Sequence, residues 1–276
     1  MNGGFMKQNI RLIITDLDGT LSNNNKEITD LTKTVIKKVR AKGILFGIAT
    51  GRTLYAVEEM NKNWGITDLV DVMLGMNGSQ YFDRDGFRET TGLLAGKYMI
   101  EIMERIQDSE AAYGVFDNVD RTLYADRWNE AVQGVADSNH FKLVVLDLKE
   151  WVKDRTYEKL FLAASPEHMN ELKVYCADKN TENYRGFHTG RRLYEFMNPE
   201  VSKSYGIQKV CVHHKINMNE VMSIGDHNND IEMIRDAGIG VCMGNGSDQA
   251  KEVAKYIIGT NDEEGWAKFV SEYFEL

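Results

Sequence analysis

The 276-residue sequence predicts an α/β fold: a parallel-sheet core with helices on both faces, carrying an inserted α+β domain. Three observations lead there. Near both ends of the chain, short apolar runs alternate with stretches of helical periodicity, the pattern of parallel strands joined by crossover helices. Three of these runs stop at polar residues: Asp16 and Asp18 after the first, Thr50 after the second, Asp226 after the one at 221–224. The middle of the chain breaks the alternation.

Taken in order, Arg11–Thr15 is apolar and β-branched and reads as a buried strand, ending at Asp16–Leu17–Asp18–Gly19–Thr20. Asn23–Asn25 is a polar loop. From about Thr29 to Lys42, Leu31, Val35 and Val39 form one stripe with Ile36 beside them, and Gly43 can cap the helix end. Ile44–Ala49 is a second buried strand, closed by Thr50–Gly51–Arg52. A helix to about Trp64 and a strand over about Val70–Leu74 follow. Asp83–Arg84–Asp85–Gly86 signals a turn. A helix over about Leu94–Asp108 opens the middle region, where apolar runs such as Leu143–Leu146 and Lys159–Ala163 alternate with polar helices. The core pattern resumes with a strand over Glu220–Ile224. Next comes a helix capped by Asn228, with Ile231 and Ile234 inward and Gly238 past its end, and then short strands over Ile239–Met243 and Tyr256–Ile258. Domain boundaries fall near 84 and 190, giving a discontinuous core (1–83 with 191–276) and an inserted domain (84–190).

Composition narrows the function classes. A net charge of −9 argues against bulk nucleic-acid or acidic-membrane binding, because phosphate backbones recruit net-basic surfaces. A small phosphorylated ligand needs only one or two local cations and stays open. Cys176, Cys211 and Cys242 are sparse and far apart, which fits a reducing compartment and no zinc knuckle. The first nine residues lack a signal-like apolar stretch, and the longest apolar run, about Gly43–Ala49, falls far short of the ~20 residues that span a bilayer. The expectation is a cytoplasmic protein with no membrane or nucleic-acid partner and no evident obligate protein partner.

In an open parallel sheet, ligands sit beyond the carboxyl ends of the strands. If the three polar-ended strands are neighbours, their terminal groups meet in one crevice. Asp16 and Asp18, two apart, then face the same side and address one ligand. Several carboxylates stay ionised together only beside a cation, and their hard oxygens suit Mg²⁺, which binds through a few carboxylates, water and substrate phosphate. Lys203 can reach in as a point charge for phosphate, and Thr50 and the Gly51 amide can donate to phosphate oxygens.

These residues, in this order, resemble the haloacid dehalogenase superfamily. The motifs are Asp16–Leu17–Asp18–Gly19–Thr20, Ala49–Thr50–Gly51–Arg52, Lys203, and Gly225–Asp226–His227–Asn228–Asn229–Asp230. Asn77–Gly78, Met243–Gly244–Asn245 and Asn261–Gly265 are further echoes. The branch resembled is the Cof-type phosphatases (subfamily IIB, C2 cap), which carry an α+β cap between the second and third motifs. The resemblance implies a Rossmann-like core. Asp16 would attack phosphorus and form an aspartyl-phosphate. Asp18 would protonate the leaving oxygen and then activate water. Mg²⁺ would be held by Asp16, Asp226 and the Asp18 carbonyl, with Asp230 orienting the cluster directly or through water. Thr50, Gly51, Lys203 and Asn229 would hold the phosphoryl group. Ser204 after the lysine and Gly246 after Gly–Asn depart from the usual pattern, away from any expected catalytic role.

Each motif also has a plain structural reading. Asp16 and Asp18 suit turns, Thr50–Gly51 and Asp226 suit helix caps, and Lys203 alone would be a solvated lysine. His227 reads as a bystander, since Mg²⁺ prefers oxygen. His213–His214 reads as a surface pair at a helix end, stabilised by the helix dipole. Gly244–Asn245–Gly246 reads as a tight turn and Asp262–Glu264 as a solvated face. In the inserted domain and at its end, Tyr124, Trp128, Trp151, His188, Arg191 and Arg192 read as packing or surface. The function expected is Mg²⁺-dependent hydrolysis of small phosphorylated metabolites, sugar phosphates first. A sugar phosphomutase on the same core, or a non-enzymatic phospho-acceptor of signalling type, stays open.

Overall fold

The computed structural model describes residues 8–276. In chain order, β1 (Leu12–Thr15), α1 (Asp30–Ala41), β2 (Leu45–Ala49), α2 (Leu54–Trp64), β3 (Val72–Gly75), β4 (Gln80–Asp83) and β5 (Arg88–Thr90) come first. The middle holds β6 (Leu94–Ala95), α3 (Gly96–Ile106), β7 (Ala112–Asp117), β8 (Thr122–Ala125), α4 (Glu130–Asn139), β9 (Lys142–Val145), α5 (Leu148–Val152), β10 (Thr156–Tyr157), β11 (Lys159–Ala163), α6 (Pro166–Cys176), β12 (Arg185–Gly190) and β13 (Leu193–Met197). The chain ends with α7 (Lys203–His214), β14 (Val221–Gly225), α8 (Ile231–Asp236), β15 (Ile239–Cys242), α9 (Asp248–Val253), β16 (Tyr256–Ile257) and α10 (Gly265–Phe274).

Two compact units result: Thr90–Val201, and the segments on either side of it. They divide later along the chain than the turn signal at 84 and the position near 190 suggest. The hairpin after Asp83 still adds β5 to the first sheet, and the hairpin of β12 and β13 belongs wholly to the second. Hydrogen bonding across a sheet, invisible in local sequence, sets both edges.

The first unit is built on an eight-stranded sheet ordered β16-β15-β14-β1-β2-β3-β4-β5. From β16 to β3 every pairing is parallel, and β4 returns antiparallel on β3. β1 is wholly buried because both its faces are covered. Ile13 packs with Val35, Ile36 and Val39 of α1, Val57 of α2 and Val270 of α10. Leu12 and Ile14 point the other way, toward Ile207 and Val210 of α7, Met233 and Ile234 of α8 and Ala250 of α9. Each such side chain contributes on the order of 1.5–3 kcal/mol of burial. Thr29 caps α1 by accepting from the Thr32 amide, and Ser202 caps α7 by accepting from the Tyr205 amide at 3.0 Å.

Local expectations differ from the structure in three places. β1 stops at Thr15, so Asp16 and Asp18 lie on a loop and strand alternation does not set their directions. Asn228 is not a helix cap but opens a short 3₁₀ turn through Asp230. The helix expected from Leu94 begins at Gly96, because Leu94–Ala95 pairs antiparallel with β10. No helix of the described residues is long and apolar enough to cross a membrane.

The second unit carries a six-stranded sheet ordered β12-β13-β11-β7-β8-β9, antiparallel except where β8 meets β9. One face is covered by α3, α5 and α6, whose Met99, Ile102, Val152, Met169 and Leu172 pack with Leu160, Leu162 and Phe196 of the sheet. Inside this unit Lys159 and Glu195 form a buried ion pair at 2.5 Å.

Candidate active site

Strand register assembles the site. Thr15 lies beside Ile224 on β14 and beside Ile48 on β2, and Ala49 lies beside Leu74. The residues that follow these strands therefore emerge in one row. β1 has β2 on one side and β14 on the other, so the chain turns in opposite directions from it and opens a crevice at its carboxyl end. The ladder runs on past β1, with the Asp16 amide donating to the Ile224 carbonyl at 2.9 Å and the Thr50 amide to the Leu74 carbonyl at 2.9 Å.

Three carboxylates meet there. Oxygens of Asp16, Asp226 and Asp230 all lie within 4.8 Å of one another. Lys203, the first residue of α7, is fully buried and donates to Asp16 Oδ1 at 2.5 Å and Asp230 Oδ1 at 2.6 Å. Asp230 Oδ2 accepts the backbone N–H groups of Asp226 and His227, both at 2.9 Å, and so shapes the turn after β14. One ammonium among three carboxylates leaves an excess of negative charge in a desolvated place. Burial raises the Asp16 pKa well above the carboxylate range; Asp230, Asp226 and Asp18 add to this while Lys203 opposes it. Burial and Asp230 push Asp226 up to about 7. Burial disfavours the charged Lys203, but Asp16 and Asp230 outweigh it and raise its pKa.

Asp18 stands apart from that group. Burial pushes its pKa up, but Arg52 and Lys26 outweigh burial and hold it well below the usual range. Arg52 Nε donates to Asp18 Oδ2 at 2.7 Å and Arg52 Nη2 to Oδ1 at 3.0 Å, a two-pronged pair; Lys26 Nζ donates to Oδ1 at 2.8 Å. The loop between Asp18 and Lys26 is anchored from a distance. Asn261 Nδ2 donates to the Ser22 carbonyl at 3.1 Å, and Asp262 Oδ1 accepts the Asn24 amide at 2.9 Å. The Asp262–Glu264 stretch thus contributes a tether as well as a solvated face.

The Gly19 turn presses against Asp226. At φ +86° a Cβ would stand 2.6 Å from Asp226 Oδ2, so only glycine fits. Thr20 Oγ1 donates to Asp226 Oδ1 at 2.9 Å, and Asn245 Nδ2 to the Gly19 carbonyl at 2.8 Å. On the other side, the backbone at Met76, Asn77 and Gly78 is left-handed at three successive residues, with φ of 48°, 55° and 96°. Such strain concentrates at functional sites. It brings Asn77 Oδ1 to 3.0 Å from Asn229 Nδ2, where it accepts a hydrogen bond, and to within 3.2 Å of where a Gly51 Cβ would lie. A Cβ on Gly78 would collide with the Ser202 carbonyl, so this turn abuts the start of α7 where Lys203 begins.

Of the residues expected from sequence, the structure gathers the carboxylates of Asp16, Asp226 and Asp230 with Lys203. Thr50 follows β2 in the same row, and Gly51 and Asn229 border it through Asn77. The Asp18 carboxylate lies outside the three-carboxylate group. Thr20, Lys26, Arg52, Asn77 and Asn245 join the site without having been assigned roles. Thr20, Arg52, Asn77 and Asn245 sit inside or next to the motifs, which was the available signal; Lys26 had none, because the Asn261–Asp262 tether places it.

A family model for haloacid dehalogenase-like hydrolases matches residues 13–270. The chain belongs to this family. The hydrolase is 27% identical over 270 residues to the 5-amino-6-(5-phospho-D-ribitylamino)uracil phosphatase YitU of Bacillus subtilis, covering 96% of this chain and 98% of the relative. It is 29% identical over 265 residues to YcsE of the same organism, named for the same activity, with 96% of each chain covered. Its fold matches that of a HAD/COF-like hydrolase from Plasmodium vivax with a TM-score of 0.83 at 20% identity, over 99% of this chain and 97% of the other. It also matches a HAD subclass IIB sugar phosphatase with a TM-score of 0.80 at 23% identity, over 96% and 100%.

Proposed function

We propose that this hydrolase is a Mg²⁺-dependent phosphatase that cleaves small phosphorylated metabolites through an aspartyl-phosphate on Asp16. The observation that carries the reading is the Asp16–Asp226–Asp230 group with Lys203 fixed on Asp16 Oδ1, which leaves Oδ2 as the attacking oxygen. Relatives named as phosphatases support the reaction class.

The donor set fits Mg²⁺. It is all oxygen, desolvated, short of positive charge, and includes two carboxyls whose raised pKa values show that the cluster disfavours its own ionisation. Asp16 and Asp226 would hold the ion, with the Asp18 carbonyl beside them and Asp230 fixing Lys203 and the turn. When bound, the cation supplies positive charge to the phosphoryl oxygens and to the carboxylates.

In the first half-reaction Asp16 Oδ2 bonds to phosphorus, the ester P–O bond breaks, and the leaving oxygen takes a proton from Asp18. In the second, water attacks phosphorus, Asp18 takes its proton, and the aspartyl P–O bond breaks to release phosphate and free Asp16. Arg52 and Lys26 keep Asp18 ionised, the form the second half requires. For the first half Asp18 must carry a proton, which requires its pairing with Arg52 and Lys26 to yield when the substrate binds. Lys203 supplies a cation, and Thr50, the Gly51 amide and Asn229 supply neutral donors, for the phosphoryl oxygens. The unit Thr90–Val201 is read as the cap that sets specificity.

Thr20→Val keeps the shape but removes the donor to Asp226 Oδ1. The expected result is a 10–100-fold rise in the Mg²⁺ concentration needed for half-maximal activity, with kcat at saturating Mg²⁺ nearly unchanged. The test of the function itself is phosphate release from a panel of sugar phosphates and phosphorylated ribityl compounds, with Mg²⁺ and with EDTA. Metal-dependent release supports the reading. Isomerised sugar phosphate without free phosphate would replace it by a mutase.

A further inference from the structure

A second group of donors lies at the far end of α7. His213 and His214, the last two residues of that helix, do not stand as a solvated pair. His214 Nε2 is 2.5 Å from Asp83 Oδ2, at the end of β4, and His213 Nε2 is 2.7 Å from Asp85 Oδ2, in the turn that follows. One ligand atom from each of Asp83, His213 and His214 lies within 4.8 Å of the others. Asp83 is buried and held firmly: its side chain is 4% exposed, Tyr81 Oη donates to Oδ2 at 2.9 Å, and the Asp85 amide donates to Oδ1 at 3.2 Å. The Phe87 ring lies 4.9 Å from the His213 ring, tilted 39° to it. A cleft of about 460 Å³, lined by Tyr81, Phe87 and His213 among others, borders the group at His213.

We propose that Asp83, His213 and His214 form a second metal site, selective for Zn²⁺ over Mg²⁺, with water to complete four-coordination and Asp85, paired with His213, supporting it from the turn. The chemistry differs from that of the catalytic carboxylates. Two imidazole nitrogens and carboxylate oxygens are the donors of four-coordinate Zn²⁺, whereas Mg²⁺ takes oxygen alone. A metal entering here would take the place of the hydrogen bonds between each imidazole and its carboxylate. Tyr81 supplies the outer hydrogen bond that orients a ligating carboxylate. The site would tie the end of α7 to the β4–β5 turn, and α7 begins at Lys203.

The test is a calorimetric titration of Zn²⁺ into the full chain in excess Mg²⁺, so that the oxygen site is already engaged. The wild type is expected to bind one Zn²⁺ equivalent and to melt at a higher temperature with it. His213→Gln/His214→Gln is expected to lose at least 100-fold in Zn²⁺ affinity, and Tyr81→Phe about 10-fold. Should the double variant fail to fold, Asp85→Asn, at an exposed position, is expected to weaken binding about 10-fold without touching the buried groups. Absence of Zn²⁺ binding by the wild type would overturn the proposal. So would an affinity unchanged in the histidine and Asp85 variants, or one lost in Asp226→Asn and retained in the histidine variant.

Discussion

Asp16→Asn is expected to abolish phosphate release, by on the order of 10⁴-fold or more in kcat, while the protein stays folded. The amide is isosteric but cannot form the acyl-phosphate. Its effect on stability has a definite sign. Burial, with Asp230, Asp226 and Asp18, raises the Asp16 pKa above its unfolded value against the pull of Lys203. A carboxyl so shifted contributes stability at low pH that is lost as pH rises through its folded pKa. At neutral pH without metal, the neutral amide therefore removes a cost. The variant is expected to melt no lower than the wild type in metal-free buffer, as read by calorimetry. A variant that is inactive because it is unfolded would contradict this account of the cluster, and one with near-wild-type activity would remove Asp16 as nucleophile.

Lys203→Met is expected to lose both activity and stability. The ammonium is fully buried and holds Asp16 and Asp230 at 2.5 and 2.6 Å. Methionine fills much of the volume but leaves the carboxylates facing one another. Removing one partner from a buried charge group costs about 3–5 kcal/mol. The loss is expected in full in EDTA and in part in excess Mg²⁺, since a cation bound only by the folded state restores stability by mass action. Activity in saturating Mg²⁺ is expected to fall by on the order of 10²–10³-fold, the usual effect of losing one donor to a developing oxyanion. Equal stability of mutant and wild type in EDTA would contradict the view that Lys203 neutralises this cluster.

The core was legible because its strands are covered on both faces and so read as unbroken apolar runs. Leu12–Thr15 and Leu45–Ala49 show this plainly. The convergence of Asp16, Thr50 and Asp226 was legible because each follows such a run, and parallel register then brings the ends together. What stayed hidden depends on contacts distant in sequence. Lys26 reaches Asp18 only because Asn261 and Asp262 pin the intervening loop. The left-handed backbone at Met76–Gly78 has glycine at one of its three positions, so composition could not reveal it. His213 and His214 look like an ordinary helix end until Asp83 and Asp85 are seen across from them, more than a hundred residues earlier.

The reaction is proposed to pass through a phosphoryl group covalently bound to Asp16. Asp18→Asn should form this intermediate from an activated aryl phosphate and break it down slowly, since the base that draws the proton from water is gone. Acid-quenched single-turnover samples of that variant, digested and analysed by mass spectrometry, are predicted to carry one phosphoryl group on the peptide containing Asp16, and none when Asp16 is also changed to Asn. Stoichiometric release of phosphate with no phosphorylated peptide at any time point would contradict the account and assign the attack to water.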